Sequence, residues 1–132
     1  MVLTKDQIFA SVDLKLEKVD VPEWGGEVFV RSMTGKERDK FESSNMVKDR
    51  KSNTYDLRME NLRARLVVLT VCDETGKRIF DDGEAELIGA RNASVLARLY
   101  DVGARLSGIT KADIEEIAKN STADTTDGSL SA

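Results

Sequence analysis

The segment VPEWGGEVFVRSMTGKERDKF, residues 21–41, decides the fold because it encodes a turn, a strand and a capped helix in direct succession. The two glycines that end residues 22–26 can adopt positive φ, which predicts a tight turn. Alternating side chains over residues 27–33 predict a return strand that projects them to opposite faces. Residues 34–37, Thr-Gly-Lys-Glu, form a capping box, which predicts a helix over about residues 35–45.

The strands on either side of this turn predict an antiparallel hairpin near residues 18–33. The alternation of the first strand slips at Glu17 and Lys18, and two interpretations stay open: a β-bulge there, or a strand that begins only near Lys18. A two-stranded ribbon is marginal in water by itself, so one face is expected to pack on helices. Trp24 lies at the tip, where it either folds back over the core or is presented to a partner.

Most of the remaining chain has helical periodicity. Apolar residues recur at helical spacing at about residues 5–12, 57–72, 81–88, 93–107 and from Thr110 onward. The stripe of residues 57–72 is the widest, which predicts a central helix with helix 93–107 packed against it. The β-branched run of residues 67–71 leaves a strand open as the alternative there. Residues 43–56 are polar and without period, which predicts a mobile loop.

These patterns predict a mainly α fold with a small β-hairpin, an α+β arrangement of about five helices around helices 57–72 and 93–107. The chain has 132 residues, one proline and 33% charged side chains, as expected of one small helical domain. We expect a single globular domain over residues 1–119. The sequence NSTADTTDGSLSA, residues 120–132, is small and polar and predicts a disordered tail.

Composition argues against an enzyme. The chain has no histidine and one cysteine, Cys72, so histidine-based nucleophilic catalysis and a structural zinc site are not expected. The acidic residues Asp81, Asp82, Glu84 and Glu86 lack the spacing of a calcium loop and suit a helix start instead. No catalytic residue, cofactor or metal site is therefore predicted.

Charge and hydropathy limit the partners further. The net charge is −4, so bulk attraction to nucleic acid or an anionic membrane is not expected. No apolar run approaches the ~18 residues that indicate a membrane span, and the N-terminus lacks the pattern of a signal peptide. These features predict a cytoplasmic protein that binds other proteins.

The sequence resembles the tail assembly chaperones of long-tailed (siphovirus-type) bacteriophages over residues 1–119. The segments that carry the resemblance are VDVPEWGGEVFVR at 19–31, MTGKERDKFE at 33–42 and RARLVVLTVCDETGKRIFDD at 63–82. The resemblance implies a non-catalytic protein that binds the long helical tape measure protein in the host cytoplasm and keeps it soluble. It also implies self-association, departure before the virion is complete, and often a longer frameshifted form.

Client binding of this kind requires accessible apolar side chains. We expect the contact residues to be Trp24, Phe29, Met33, Met46 and Leu57. The alternatives are a structural phage tail or neck component that stays in the particle, and a small regulatory protein-interaction module.

Overall fold

The structure is a computed structural model that describes residues 1–110 and residue 113, and this part of the chain forms five α-helices and five β-strands. The helices are α1 (Lys5–Ala10), α2 (Gly35–Ser44), α3 (Leu62–Thr70), α4 (Ala85–Gly89) and α5 (Ala93–Leu106). The strands are β1 (Leu16–Val21), β2 (Gly26–Arg31), β3 (Met46–Asp49), β4 (Thr54–Leu57) and β5 (Val71–Cys72). Single 3-10 turns cover Pro22–Trp24 and Asp82–Glu84. The predicted α+β class is confirmed.

Strands β1, β2 and β5 form one antiparallel sheet in that order. The β1–β2 register runs without interruption from Leu16 opposite Arg31 to Val21 opposite Gly26. Neither interpretation of the slip in alternation was right: the strand begins at Leu16 and contains no bulge. Gly25, with φ of 81°, closes the turn as the sequence predicted.

Helix α3 lies at the centre of the core and is buried at every residue except Arg63. One apolar cluster joins α3 to α5 and to the β1–β2 hairpin, through residues such as Val67, Val95 and Val21. A second cluster packs the opposite side of α3, through Leu66, against Phe41 of α2. The predicted central position of this helix is confirmed.

The bounds of that helix differ from the prediction of 57–72. Leu57 belongs to β4, and the helix starts only after Asn61, which has φ of 56°. At the other end Val71 and Cys72 leave the helix and pair with β2. Of residues 67–71, for which a strand was the alternative, only Val71 lies in a strand. Its β-branched side chain favours that conformation, and the edge of β2 is available there for pairing.

The predicted mobile loop at 43–56 is instead partly a second antiparallel sheet, formed by β3 and β4. Its turn is stabilised by the Asp49 carboxylate, which accepts a hydrogen bond of 2.9 Å from the Lys51 amide. Asn53 closes the turn with φ of 57°. The sequence did not predict this ribbon because its two strands are short and polar and show no sustained alternation of apolar and polar residues. We refer to residues 46–57 as the β3–β4 ribbon.

Local capping signals are reproduced in the structure. Thr4 and Thr34 form capping boxes with Gln7 and Glu37. Asn92 caps α5 through the amides of its first turn. Helix α1 is shorter than the predicted 5–12, ending at Ala10. Thr110 and Asp113 exchange the capping hydrogen bonds of the predicted final helix, but residues 114–119 and the tail at 120–132 lie outside the described residues.

Charged pairs hold the first hairpin against its neighbours. Arg98 of α5 binds Glu23 with a shortest N–O distance of 2.6 Å, and Arg105 binds Glu17 at 2.7 Å. The hydrogen bond from Arg98 lowers the pKa of the Glu23 carboxyl. Arg31, buried at the end of β2, donates to both oxygens of Glu37 at 3.0 and 2.8 Å.

The close approach of α5 to α3 depends on Gly103. A Cβ at this position would lie 2.8 Å from Leu66 Cδ2 and 2.9 Å from Thr70 Oγ1. Both neighbours are fully buried, so either one can move aside only by disturbing the core around it. The absence of a side chain at residue 103 therefore lets the two helices touch.

We expect Gly103→Ala to lower the free energy of unfolding by about 1–2 kcal/mol, because the forced separation of the helices outweighs the better helix propensity of alanine. Chemical denaturation measures the change. Gly35→Ala is the matched control, since a Cβ at Gly35 meets nothing within 4 Å. Equal stability of the two variants would contradict the close-packing explanation.

Candidate partner-binding surface

The five sequence-predicted contact residues are not brought together in one patch. Trp24 is half-buried in the hairpin turn and packs against the first apolar cluster. Phe29 is half-buried on β2, with the Lys18 ammonium 6.0 Å from the ring centroid. Met33 is only 8% exposed and belongs to the second apolar cluster. The structure gives Met33 a packing role, and its contact with a client stays a prediction.

Met46 and Leu57 are brought together, as cross-strand partners at the base of the β3–β4 ribbon. Lys48 and Tyr55 are also cross-strand partners, two residues further along each strand. Side chains two residues apart point the same way, so all four lie on one face of the ribbon. Met46 and Leu57 are half-buried, while Tyr55 is 49% exposed. This face carries Met46, Leu57 and Tyr55 beside one lysine, and the pair nearer the turn is the more exposed. Val47 projects from the opposite face and is 48% exposed.

The buried Arg65 of α3 attaches the ribbon to the core. Its guanidinium donates to the Asn45 side-chain oxygen at 2.9 Å and to the Arg58 carbonyl at 2.8 Å. A third hydrogen bond goes to the carbonyl of Glu60. Desolvation, aided by the Arg58 charge, lowers the pKa of Arg65. One cation therefore holds the chain just before β3 and just after β4.

The N-terminal residues carry apolar side chains that sequence analysis did not select. In the arm, defined as residues 1–14, the large side chains are exposed at Met1, Val2, Leu3, Ile8, Phe9 and Val12. Helix α1 buries none of its residues. The signal was present in the sequence, because an apolar stripe on so short a helix needs a partner to cover it.

The described residues offer little for bond-making chemistry. No group of three or more histidine, cysteine or acidic side chains in residues 1–110 and 113 could hold a metal ion. Asp82 of the acidic cluster pairs with Lys40 and Arg78, and these hydrogen bonds lower its pKa. Desolvation raises the pKa of the buried Cys72 thiol, which disfavours the reactive thiolate. In the same part of the chain, no helix has the length and hydropathy to cross a bilayer.

Comparison with known proteins identifies the family. The family model described as phage tail assembly chaperone matches residues 4–120. The chain belongs to the phage tail assembly chaperone family. The solved structure of the bacteriophage HK97 tail assembly chaperone has the same fold, with a TM-score of 0.56 at 19% identity, over 80% of this chain and 95% of that one. No curated protein matches the chain.

Membership confirms the resemblance inferred from the sequence and sets the broad role of the chain. A tail assembly chaperone acts in virion assembly within the host, through a protein partner, and the family is not a class of enzymes. The family model spans α1, both sheets and α5, so the ribbon and residues 4–14 of the arm lie within the matched region. Exposed apolar surface on these elements suits a protein that binds another polypeptide.

The attachment of the ribbon by Arg65 can be tested with Arg65→Met, which keeps the apolar stem and removes the hydrogen-bond donors. Three acceptors then lose their donor, and we expect unfolding free energy to fall by about 2–4 kcal/mol. Amide hydrogen exchange of residues 46–57 should accelerate more than that of α3. Arg63→Met, at an exposed position on the same helix, is the control. Unchanged exchange in the ribbon would show that other contacts hold it.

Proposed function

We propose that the chain binds the tape measure protein during phage tail assembly, keeps it soluble, and leaves before the virion is complete. The protein works without catalysis, in the host cytoplasm. The observation that carries this proposal is the apolar face of the β3–β4 ribbon, together with membership of the chaperone family. Such a face suits a client that exposes an apolar helix stripe until the tail tube encloses it.

The ribbon face can contact a client helix through Met46, Tyr55 and Leu57. A methionine side chain adapts to different apolar surfaces, which suits a chaperone that contacts many segments of one long client. Tyr55 offers a large rigid ring with a polar end. Lys48 shares this face, and Arg50 and Lys51 follow in the turn, so acidic residues beside the client stripe would be attracted.

The first hairpin supplies a second contact region. Strand β1 pairs only with β2 within the described residues, so its outer edge has no neighbouring strand, although Arg98 of α5 donates to the Asp20 carbonyl at 3.2 Å. An extended segment could pair along the rest of that edge. Phe29 lies on the adjacent strand and Trp24 at the turn, and both are half-buried. We propose these two residues as secondary contacts, weaker than the ribbon because each is already packed against the core or beneath Lys18.

Self-association is part of the proposal. A long client presents many equivalent segments. Once one copy of the chaperone is bound, its contact with a second copy raises the effective concentration of that copy at the next segment and so strengthens binding. Exposed apolar surface outside the ribbon, above all on the arm, supports this part of the proposal.

The decisive experiment co-expresses the chain with the tape measure protein of the same phage. We expect the client to precipitate alone and to remain soluble in complex with this chain. Tyr55→Ser should weaken binding by about 2 kcal/mol, roughly 30-fold in Kd, if the ring is an anchor. Val47→Ser is the matched control, with equal exposure on the opposite face of the same ribbon.

Two results would overturn the assignment. A client that stays insoluble in the presence of the wild-type chain would remove the chaperone function. Equal loss of affinity in Tyr55→Ser and Val47→Ser would leave the chaperone function in place but show that the client does not bind specifically to the proposed face of the ribbon.

Mass spectrometry of purified virions separates the chaperone from a structural tail or neck component. We expect no peptide of this chain in mature particles, because the client becomes enclosed by the tube and no longer offers its apolar stripe. Detection at a fixed stoichiometry with other tail proteins would support the structural alternative instead.

A further inference from the structure

The N-terminal arm is folded but covered by nothing in the described chain. Phe9 is 79% exposed, Val12 93% and Ile8 52%. Helix α1 has six residues and a complete capping box. Isolated helices shorter than ~12 residues are marginal in water even with good sequences. The arm therefore needs an apolar surface outside its own subunit to keep this conformation.

The same chain contains two neighbouring clefts that have large apolar side chains in their walls. A cleft of ≈ 450 Å³ lies between the start of α3 and the start of α5, with Met59 and Leu96 in its wall. A second cleft of ≈ 420 Å³ lies beside α4, with Phe80 and Leu87 in its wall. Arg91 lines both clefts, and we refer to the pair as the Arg91 trough. Leu87 is 70% exposed and Met59 55%, so this apolar surface is also uncovered.

The charges of the arm and the trough are complementary. Two cations, Arg63 and Arg91, and one carboxylate, Glu84, line the trough, and neither arginine forms a salt bridge among the described residues. Arg63 instead lies over the Tyr100 ring, 5.8 Å from its centroid. Asp6 and Asp13 flank the apolar stripe of the arm and are likewise without a salt bridge in that part of the chain. Lys5, which precedes Asp6, is the single basic side chain of the arm.

The arm and the trough are at opposite ends of α5. Glu17, next to the root of the arm, binds Arg105 in the last turn of that helix. The trough is lined by residues of the first turn, including Ala93 and Ala97. The rise of a helix separates Arg105 from Ala97 by about 12 Å. Docking in the subunit's own trough would require the arm to leave the exposed position that it has in this structure, whereas a neighbouring subunit can meet it there.

We propose that the N-terminal arm of one copy docks in the Arg91 trough of a second copy, with Phe9 in an apolar cleft and Asp6 and Asp13 near Arg63 and Arg91. This inference deepens the self-association in the proposed function and rests on it. The two contacting patches differ, so the interface is heterologous. Each added subunit presents a further free arm and a further free trough, and association continues beyond a dimer.

Sedimentation velocity of the full chain over a concentration series tests the interface. Wild-type protein should form species larger than a dimer. Phe9→Ser and Arg91→Glu should each weaken association by about 30-fold or more. Both changes are at exposed positions, so the monomer keeps its fold, which circular dichroism checks. Val47→Ser, which lies in neither patch, should associate like the wild type.

Mixing the two defective variants distinguishes this arrangement from others. The Phe9→Ser copy keeps an intact trough and the Arg91→Glu copy keeps an intact arm, so an equimolar mixture should form a 1:1 dimer and nothing larger. Wild-type protein that stays monomeric throughout the series would overturn the inference. So would normal association of both variants, or arm docking within one subunit, seen as protection of Phe9 that does not depend on concentration.

These outcomes are separable from those of the client proposal. Monomeric Phe9→Ser should still bind a single segment of the tape measure protein through the ribbon, because the arm is not part of that face. A failed assembly test with retained client binding rejects the arm–trough contact alone. Lost client binding by the wild-type chain rejects the chaperone function itself.

Discussion

The whole fold depends on the burial of α3. A helix with almost no solvent-facing side has to be enclosed by other elements, and the sheet, α2 and α5 each cover one part of it. Apolar burial of this kind supplies most of the favourable free energy of folding in a small domain. Helices α3 and α5 pack so closely that a side chain at residue 103 of α5 would clash with α3. The β1–β2 hairpin, which is marginal alone, gains its stability from this packing.

The sequence predicted the fold where the determining interactions are local. Capping boxes at Thr4 and Thr34 and the Asn92 cap involve residues three apart, so their patterns can be recognised without tertiary knowledge. The bounds of α3 could not be found this way. Val71 and Cys72 continue the helical pattern, and only pairing with β2 draws them into a sheet. The β3–β4 ribbon was not predicted because its ends are held by hydrogen bonds from Arg65, which lies outside the ribbon and leaves no pattern within residues 46–57.

The candidate site was predictable only in part. Met46 and Leu57 were selected as adaptable or apolar residues near a polar segment, and the structure pairs them across the ribbon. Met33 could not be distinguished from them by residue type, since its burial follows from packing beneath α5 and α2. The short predicted length of helix 5–12 indicated that the arm needs a partner surface, but only the structure shows that its apolar stripe meets no core in its own subunit. Exposure, more than hydropathy, separates the proposed contact residues from packing residues in this protein.

Two arginine–glutamate pairs join α5 to the first hairpin at the surface of the domain. Arg98 with Glu23 and Arg105 with Glu17 are partly open to solvent, so dissolved ions screen them. The apolar contacts around α3 are not weakened by the same ions. Rising ionic strength should therefore weaken these two pairs, while the apolar cluster that joins the hairpin to α3 and α5 stays in place. The salt content of the surrounding medium thus acts on the charged rim of β1 and leaves its packing against the core unchanged.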